Sequence, residues 1–189
     1  MKNISKAFAS VFCDDEWFNK VLVGGLYVIL IPFLIGLIMV MGFQIEFARR
    51  LLHHESGMPL WRNGKRIFRN GIRSFSVSLF YAIITLLILI LLHIPLFSLT
   101  TLAVITSVHF FMNPVIIDLF SRTDSIVRCI NPLALFGSMF RNFASYGVTV
   151  VVTTLMIVTA VMLGWMWIIV GWTLLVFLTL LVQTSMFAR

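Results

Sequence analysis

The sequence predicts an all-α integral membrane protein, a helical bundle of five membrane segments accompanied by interfacial amphipathic helices. Three tracts contain no charged residue, and they cover residues 21–45, 74–117 and 142–188. A helix needs about 20 apolar residues to cross the hydrocarbon core of a bilayer, so these tracts have room for one, two and two crossings. Composition agrees, because 60% of the residues are hydrophobic and 11% are charged, against about a quarter charged in soluble domains.

A single membrane domain is expected to cover residues 1–189, with short loops between its segments. The segments are, in order, an interfacial helix at 1–20, span 1 at 21–43, a basic loop with an amphipathic helix at 44–75, span 2 at 76–97, span 3 at 99–120, a loop with a short helix at 121–142, span 4 at 146–163 and span 5 at 165–187.

The predictions of the N-terminal helix and of the first span are based on different features of the sequence. Ile4, Phe8 and Val11 fall on one side of a helix, which is typical of a helix lying against the membrane. The first span contains Pro32, which removes one backbone hydrogen bond and predicts a kink. A single crossing is favoured over a re-entrant hairpin that turns at Pro32, because lipid cannot satisfy the free backbone groups of such a turn.

Spans 2 to 5 are predicted to form two helical hairpins. Pro95 marks the turn between spans 2 and 3, and Gly164 marks the turn between spans 4 and 5. Within span 3, Asn113 before Pro114 has the pattern of an N-cap followed by proline at the first helical position. This span is therefore either broken or kinked at that pair, and the kink is favoured. The same Asn-Pro pair recurs at 131–132 and predicts the short amphipathic helix.

The basic residues predict which side of the membrane each loop faces. Seven of the 14 Lys and Arg residues lie in the loop between spans 1 and 2, and three more lie between spans 3 and 4. Short loops rich in Lys and Arg stay cytoplasmic, which places both loops and the C-terminus inside. With five crossings the N-terminus would lie outside, whereas a re-entrant first segment would put both ends inside. The net charge of +7 indicates attraction to anionic lipid head groups rather than to nucleic acid.

Four arginines form the most regular polar pattern in the chain. The stripe consists of Arg62, Arg66, Arg69 and Arg73, spaced four, three and four residues apart. Trp61 and Phe68 lie on a neighbouring stripe, which predicts a surface helix with its aromatic side in the acyl chains and its arginines at phosphate level. Anchoring to lipid is favoured over a specific site for a head group or an acidic partner. Trp165 and Trp167 are expected to anchor the opposite interface.

His93, His109 and Asp118 are the candidate residues for a transport pathway or a pigment. Two histidines on neighbouring helices suggest haem, but their predicted depths differ by on the order of 10 Å, and bis-histidine ligation needs rings that face each other. Hydrogen-bonded structural histidines are favoured, so no cofactor or metal is predicted, and a chlorophyll-type pigment or haem is the weaker alternative. Asp118 is expected to pair with Arg122 one turn away, with a substrate site at a broken span 3 as the alternative.

The sequence predicts the class of protein more specifically than its function. No catalytic motif is present, so an enzyme is not expected. The favoured hypothesis is an accessory or scaffold subunit of a larger membrane complex, because surfaces rich in Met and Phe adapt to partners and the chain has 18 Phe and 10 Met. The alternative is a small-solute transporter or channel that acts as a homo-oligomer. The expected partners are anionic membrane lipids and other membrane-protein subunits, and neither nucleic acid nor a soluble substrate is indicated.

One family resemblance rests mainly on the first half of the chain. The residues that carry it are Phe12, Asp15, Trp17, Lys20, Gly24, Gly25, Pro32, Gly42, Phe43, Arg49, Arg50, Met58, Pro59, Leu60, Trp61 and Gly71. In this arrangement the chain resembles an uncharacterised prokaryotic family of polytopic membrane proteins, the domain of unknown function 4013. The resemblance implies a multi-pass protein of the cytoplasmic (inner) membrane of a bacterium or archaeon, and it carries no activity, cofactor or site residue.

Overall fold

The described residues form helices without a β-strand, as the sequence predicts. The computed structural model describes residues 2–55, 57–95, 98–141, 143–164 and 170–187. The α-helices are α1 (Lys2–Phe12), α2 (Trp17–Ile29), α3 (Ile35–Leu52), α4 (Gly64–Leu91), α5 (Leu99–Thr123), α6 (Ile126–Ile130), α7 (Pro132–Arg141), α8 (Phe143–Gly164) and α9 (Val170–Phe187), with 3-10 turns at Ile31–Phe33 and Trp61–Asn63.

Two helical segments are long and apolar enough to cross a membrane, which is consistent with a membrane protein. One is Trp61–Leu91, the second 3-10 turn together with α4, and the other is α5. A third candidate arises if α7 and Tyr146–Thr159 of α8, which are bent by 89°, belong to one span. Five membrane-spanning helices are therefore not supported within the part of the chain that the structure describes.

The predicted first span is divided into two helices that form a hairpin. Pro32 lies in the 3-10 turn after α2, and Leu34 takes a left-handed backbone conformation (φ 60°) before α3 begins. At the other end of α2, Lys20 Nζ donates to Met58 O across 3.2 Å, and Trp61 Nε1 donates to Lys20 O across 3.0 Å. The start of α2 and the end of α3 thus lie together. The helix is interrupted at Pro32, but the chain reverses there instead of kinking, so the favoured single crossing is corrected to a hairpin whose first helix, α2, is only about 20 Å long.

The predicted amphipathic helix and span 2 are one helix. α4 continues for 28 residues without a break, which reduces the loop after α3 to residues 53–60. α3 and α4 cross closely at Gly42 and Gly71, where an added Cβ would overlap Ile67 O and Ile38 O respectively. Small residues permit such close approach of two helix backbones.

α5 is continuous, so the break that was the alternative to a kink at its Asn-Pro pair is absent. It begins after the N-cap Ser98, whose Oγ accepts a hydrogen bond from Thr101 N across 3.1 Å. Pro114 lies buried inside the helix. Next to it, the Tyr146 hydroxyl donates to Phe111 O across 2.7 Å, a contact of the kind by which neighbouring helices make an internal proline tolerable.

The short amphipathic helices take different positions. α1 packs into the bundle, because Ala7 is fully buried and Ser10 Oγ lies 2.6 Å from Ser185 Oγ of α9. The position of this helix relative to a membrane interface stays a prediction. α7 has the bounds expected from the second Asn-Pro pair and leaves Leu133 and Phe140 largely exposed.

The core consists of two clusters of buried apolar side chains. The first joins α1, α2, α3 and α9 around Phe43, Phe47 and Phe177. The second joins α3, α4 and α5 with the helices that follow, around Ile116 and Phe120. α8 packs along α9.

Candidate functional site

Ionisable groups concentrate at one end of the bundle, where α3 ends, α4 begins and α5 ends. Glu46 of α3 is buried there. Arg66 Nη2 lies 2.7 Å and Arg49 Nη1 3.6 Å from the Glu46 carboxylate, and Asn70 Nδ2 donates to Glu46 Oε1. A buried carboxylate persists only when it is paired and hydrogen-bonded, so this cluster holds α3 against α4. We call this end, with Glu46, Arg49, Arg66 and Asp124, the charged end.

Asp124 connects the two loops that the sequence predicts to share one side of the membrane. It caps the C-terminus of α5 in a left-handed conformation (φ 47°). Its Oδ1 is 2.7 Å from Arg49 Nη2 and 3.6 Å from Arg73 Nη1. The residues after α5 therefore lie at the same end of the molecule as the α3–α4 connection.

The arginine stripe runs from the 3-10 turn at Trp61–Asn63 into the first turns of α4, and its members differ in their partners. Arg66 and Arg73 pair with Glu46 and Asp124, whereas Arg62 and Arg69 are exposed and have no acidic partner among the described residues. The four arginines line an open depression of about 830 Å³ on the outer face of the helix. A guanidinium without an acid is suited to bidentate contact with phosphate, so Arg62 and Arg69 are the members of the stripe that are free to bind a head group.

The predicted interface anchors have different environments. Phe68 is exposed beside the arginines, as expected. Trp61 is instead packed in the core, with ring centroids 4.1 Å from Phe43, 4.9 Å from Tyr27 and 6.0 Å from Phe177. Trp61 is only partly buried, and its role as an interface anchor stays a prediction. The other two predicted anchors, Trp165 and Trp167, lie outside the described residues.

Asp14 links the N-terminal helices to the loop after α3. Its Oδ2 accepts from Lys20 Nζ and from Met58 N, each across 2.7 Å, and its Oδ1 accepts from Glu16 N across 3.0 Å. Burial by itself would raise the pKa of this carboxyl, but the hydrogen bonds from Lys20, Met58 and Glu16 outweigh it and hold the pKa below the ordinary value. Sequence reasoning missed this cluster, because its members are distant in the chain.

The three candidate residues for a pathway or pigment do not form one site. Asp118 is buried and paired with Arg122 Nε at 2.8 Å, the local pair that the sequence favours. His109 Nε2 lies 2.9 Å from Ser78 O, and its Nδ1 lies 2.9 Å from Ile105 O.

His93 is exposed at the C-terminal end of α4. Because His109 contacts α4 at Ser78, fifteen residues before His93, the two rings are separated by about 22 Å along that helix. Across the described ranges, no group of three or more His, Cys, Asp or Glu side chains could hold a metal ion.

A cavity of about 380 Å³ lies between α3, α4, α5 and α9, and apolar side chains dominate its lining. Its polar residues are Gln44, Ser78, Thr106, His109, Asn113 and Gln183, and we call it the amide cavity. Gln44 Nε2 donates to Leu180 O and to Thr184 Oγ1, each across 3.2 Å. The signal that could have indicated this site is the presence of Gln44, Asn113 and Gln183 within the three charge-free tracts.

The two cysteines are free thiols in contrasting environments. Cys13 is exposed, and Cys129 is buried in α6. Burial raises the pKa of the Cys129 thiol to about 11, so this thiol is protonated and unreactive at neutral pH.

A family model matches most of the chain and confirms the resemblance that the sequence suggests. The model is described as a protein of unknown function, DUF4013, and it matches residues 25–171. The matched range includes the charged end and most of the amide cavity, whereas Asp14, Lys20 and Gln183 lie outside it. Neither a curated protein nor a solved structure matches the chain.

Proposed function

We propose a function on the premise that the chain belongs to the DUF4013 family of proteins of unknown function. The protein is a multi-pass, non-enzymatic protein of a prokaryotic cytoplasmic membrane, and it acts as an accessory or scaffold subunit of a larger membrane assembly. The observation that carries the proposal is the outward-facing apolar surface of the helices beyond the charged end.

This apolar surface covers the half of α4 and α5 that lies away from the charged end. Leu91 is 76% exposed, and Leu99 and Leu102 are 87% and 66% exposed. Patches of this kind on soluble proteins mark binding or membrane surfaces. A bilayer covers part of such a surface, and the helices of a partner subunit cover the rest.

The topology we propose places the charged end in the cytoplasm. α4, α5, α8 and α9 cross the membrane, and the α2–α3 hairpin re-enters, so both termini lie inside. The ion pairs of Asp124 with Arg49 and Arg73 support a common side for the two basic loops, and the positive-inside rule makes that side cytoplasmic. Arg62 and Arg69 then meet anionic head groups at the inner leaflet.

The accessory role is tested by the mass of the native particle. The protein is extracted from its own membranes in a mild detergent and measured by native mass spectrometry, and we expect a complex with other membrane subunits in a fixed ratio. As a control, the same protein is stripped in a harsh detergent and mixed again with the released subunits, which must rebind in that ratio. A homogeneous lone monomer after mild extraction would contradict the proposal.

A transporter or channel that acts as a homo-oligomer is the alternative function. The amide cavity favours it, because polar groups of α5 face apolar surroundings there, beside a proline within the helix. Solute flux into proteoliposomes separates the two functions. His109→Ala should reduce such a flux and the exposed His93→Ala should not, and equal fluxes in both variants would remove the site from this mechanism.

A further inference from the structure

Gln183 is a buried polar group of the amide cavity whose hydrogen bonding is incomplete. Its side chain is 2% exposed, and its Nε2 has no hydrogen-bond acceptor within the described ranges. Gln44 differs, because its Nε2 already donates to Leu180 O and Thr184 Oγ1. The His109 ring lies within hydrogen-bond distance of two carbonyl oxygens, Ile105 O and Ser78 O, so the single N–H of the neutral imidazole has an acceptor within the protein. A buried donor without an acceptor is unfavourable, so the cavity is suited to a molecule that presents an acceptor at Gln183.

The rest of the lining restricts what that molecule can be. Apart from the polar groups already named, the side chains around the cavity are mainly Leu, Ile, Val, Met and Phe from four helices. Such a lining favours an apolar body with a single acceptor, and it disfavours a charged or strongly hydrated solute.

The order of the lining residues along the cavity indicates how deep in the membrane the acceptor of a bound molecule would lie. α3, α5 and α9 run toward the charged end, and α4 runs away from it. Gln44, Asn113 and Gln183 therefore mark the end of the cavity that is nearer to the charged residues, and Ala82 and Thr106 mark the end that is further from them. A bilayer lipid has the same order, with its ester carbonyls just below the head group and its chains running inward.

The volume sets the size of the ligand. About 380 Å³ holds about a dozen groups the size of a water molecule, and a methylene group is of similar size. That space suits one acyl chain and is too small for both chains of a phospholipid.

We propose that the amide cavity binds one acyl chain of a membrane lipid and that the Gln183 amide, which protein atoms cover in this structure, turns toward that chain so that its Nε2 donates to the ester carbonyl. The site rests on the membrane placement proposed above but not on the role as an accessory subunit. The failure of one proposal can be distinguished from the failure of the other, because the subunit role is measured by co-purifying protein and the lipid site by bound lipid.

The test combines two lipids with two proteins. Ester-linked phosphatidylglycerol and its ether-linked analogue, which lacks the carbonyl, are titrated into the delipidated full-length protein, and bound lipid is counted by native mass spectrometry. We expect one tightly bound ester lipid per wild-type chain. The ether analogue should bind about fivefold more weakly, and Gln183→Leu should bind both lipids at that weaker level.

Two further variants keep the test interpretable. Ala82→Phe fills the end of the cavity that lies away from the charged end and should weaken binding of both lipids. Gln44→Leu breaks hydrogen bonds within the protein and should lower the thermal midpoint without lipid, whereas Gln183→Leu should leave that midpoint unchanged or raise it. Equal binding of ester and ether lipid by the wild type, or no tightly bound lipid at all, would overturn the proposal and leave the cavity to water or to a transported solute.

Discussion

The carboxylate of Asp14 holds the N-terminal helices to the loop between α3 and α4. Its side chain is 9% exposed and accepts hydrogen bonds from Lys20 Nζ and from Met58 N. We expect Asp14→Asn to lower the free energy of unfolding by about 1–3 kcal/mol, because Lys20 loses its closest acidic partner and Met58 N loses a charged acceptor. Denaturant unfolding in detergent micelles at pH 7 measures this difference.

The contribution of Asp14 also depends on pH in a defined direction. Its pKa in the folded protein lies below the ordinary value, so the stabilisation is complete above the ordinary value of about 4 and is lost as pH falls through the lower folded-state pKa. The difference between wild type and Asp14→Asn should therefore shrink in acid. Asp15→Asn is the matched control, since it removes the same charge from an exposed neighbour and should change stability by less than about 0.5 kcal/mol. Equal losses in the two variants would contradict the assignment.

At the scale of residues, the sequence predicts local pairs better than distant ones. The four-residue spacing of Asp118 and Arg122 is enough to predict their ion pair, because a helix places such residues side by side. Trp61 has the same helical pattern as Phe68, yet it packs on aromatic rings of α2, α3 and α9. Gln183 was not predicted as a site residue, because its unpaired amide depends on how four helices pack.

The close crossing of α3 and α4 depends on two glycines. An added Cβ on Gly42 or on Gly71 would overlap a backbone carbonyl of the opposite helix, which cannot rotate away as a side chain can. We expect Gly42→Ala and Gly71→Ala each to destabilise the protein by about 1–3 kcal/mol, because the helices must move apart. Thermal unfolding followed by the helical circular dichroism signal measures both.

Gly137 of α7 is the control for this prediction. No atom lies within 4 Å of a Cβ built at this position, so Gly137→Ala should leave stability unchanged or raise it by up to about 1 kcal/mol through helix propensity. If all three alanine variants behaved alike, helix propensity rather than close packing would explain the results at Gly42 and Gly71.

At the scale of elements, the existence of most helices is predictable and their connection is not. Pro32 predicts an interruption, which the structure contains. A proline alone does not determine whether the chain bends or reverses, because that choice depends on contacts of Lys20 and Trp61 with distant segments. Conversely, the pair Asn113-Pro114 leaves both a kink and a break open, and α5 is continuous there with Pro114 buried.

At the scale of the whole molecule, charge is distributed unevenly along the bundle. The residues that pair at the charged end come from α3, α4 and the connection after α5, and the sequence predicts their common side from loop composition alone. Asp14 and Lys20 join them through Met58, which also brings the N-terminal helices to this end. Because Cys13 is next to Asp14 in the chain, the exposed Cys13 lies at the same end of the bundle as the arginines.

Labelling of Cys13 therefore determines the orientation of the molecule. A membrane-impermeant maleimide should modify the protein in inside-out vesicles but not in intact cells, because the proposed topology places the charged end in the cytoplasm. Cys129 should contribute no signal, since it is buried and its pKa of about 11 leaves only about 0.1% thiolate at pH 8. Cys13→Ser, which should abolish labelling in the vesicles, is the control. Modification of wild-type protein in intact cells would place the arginines outside and reverse the proposed topology.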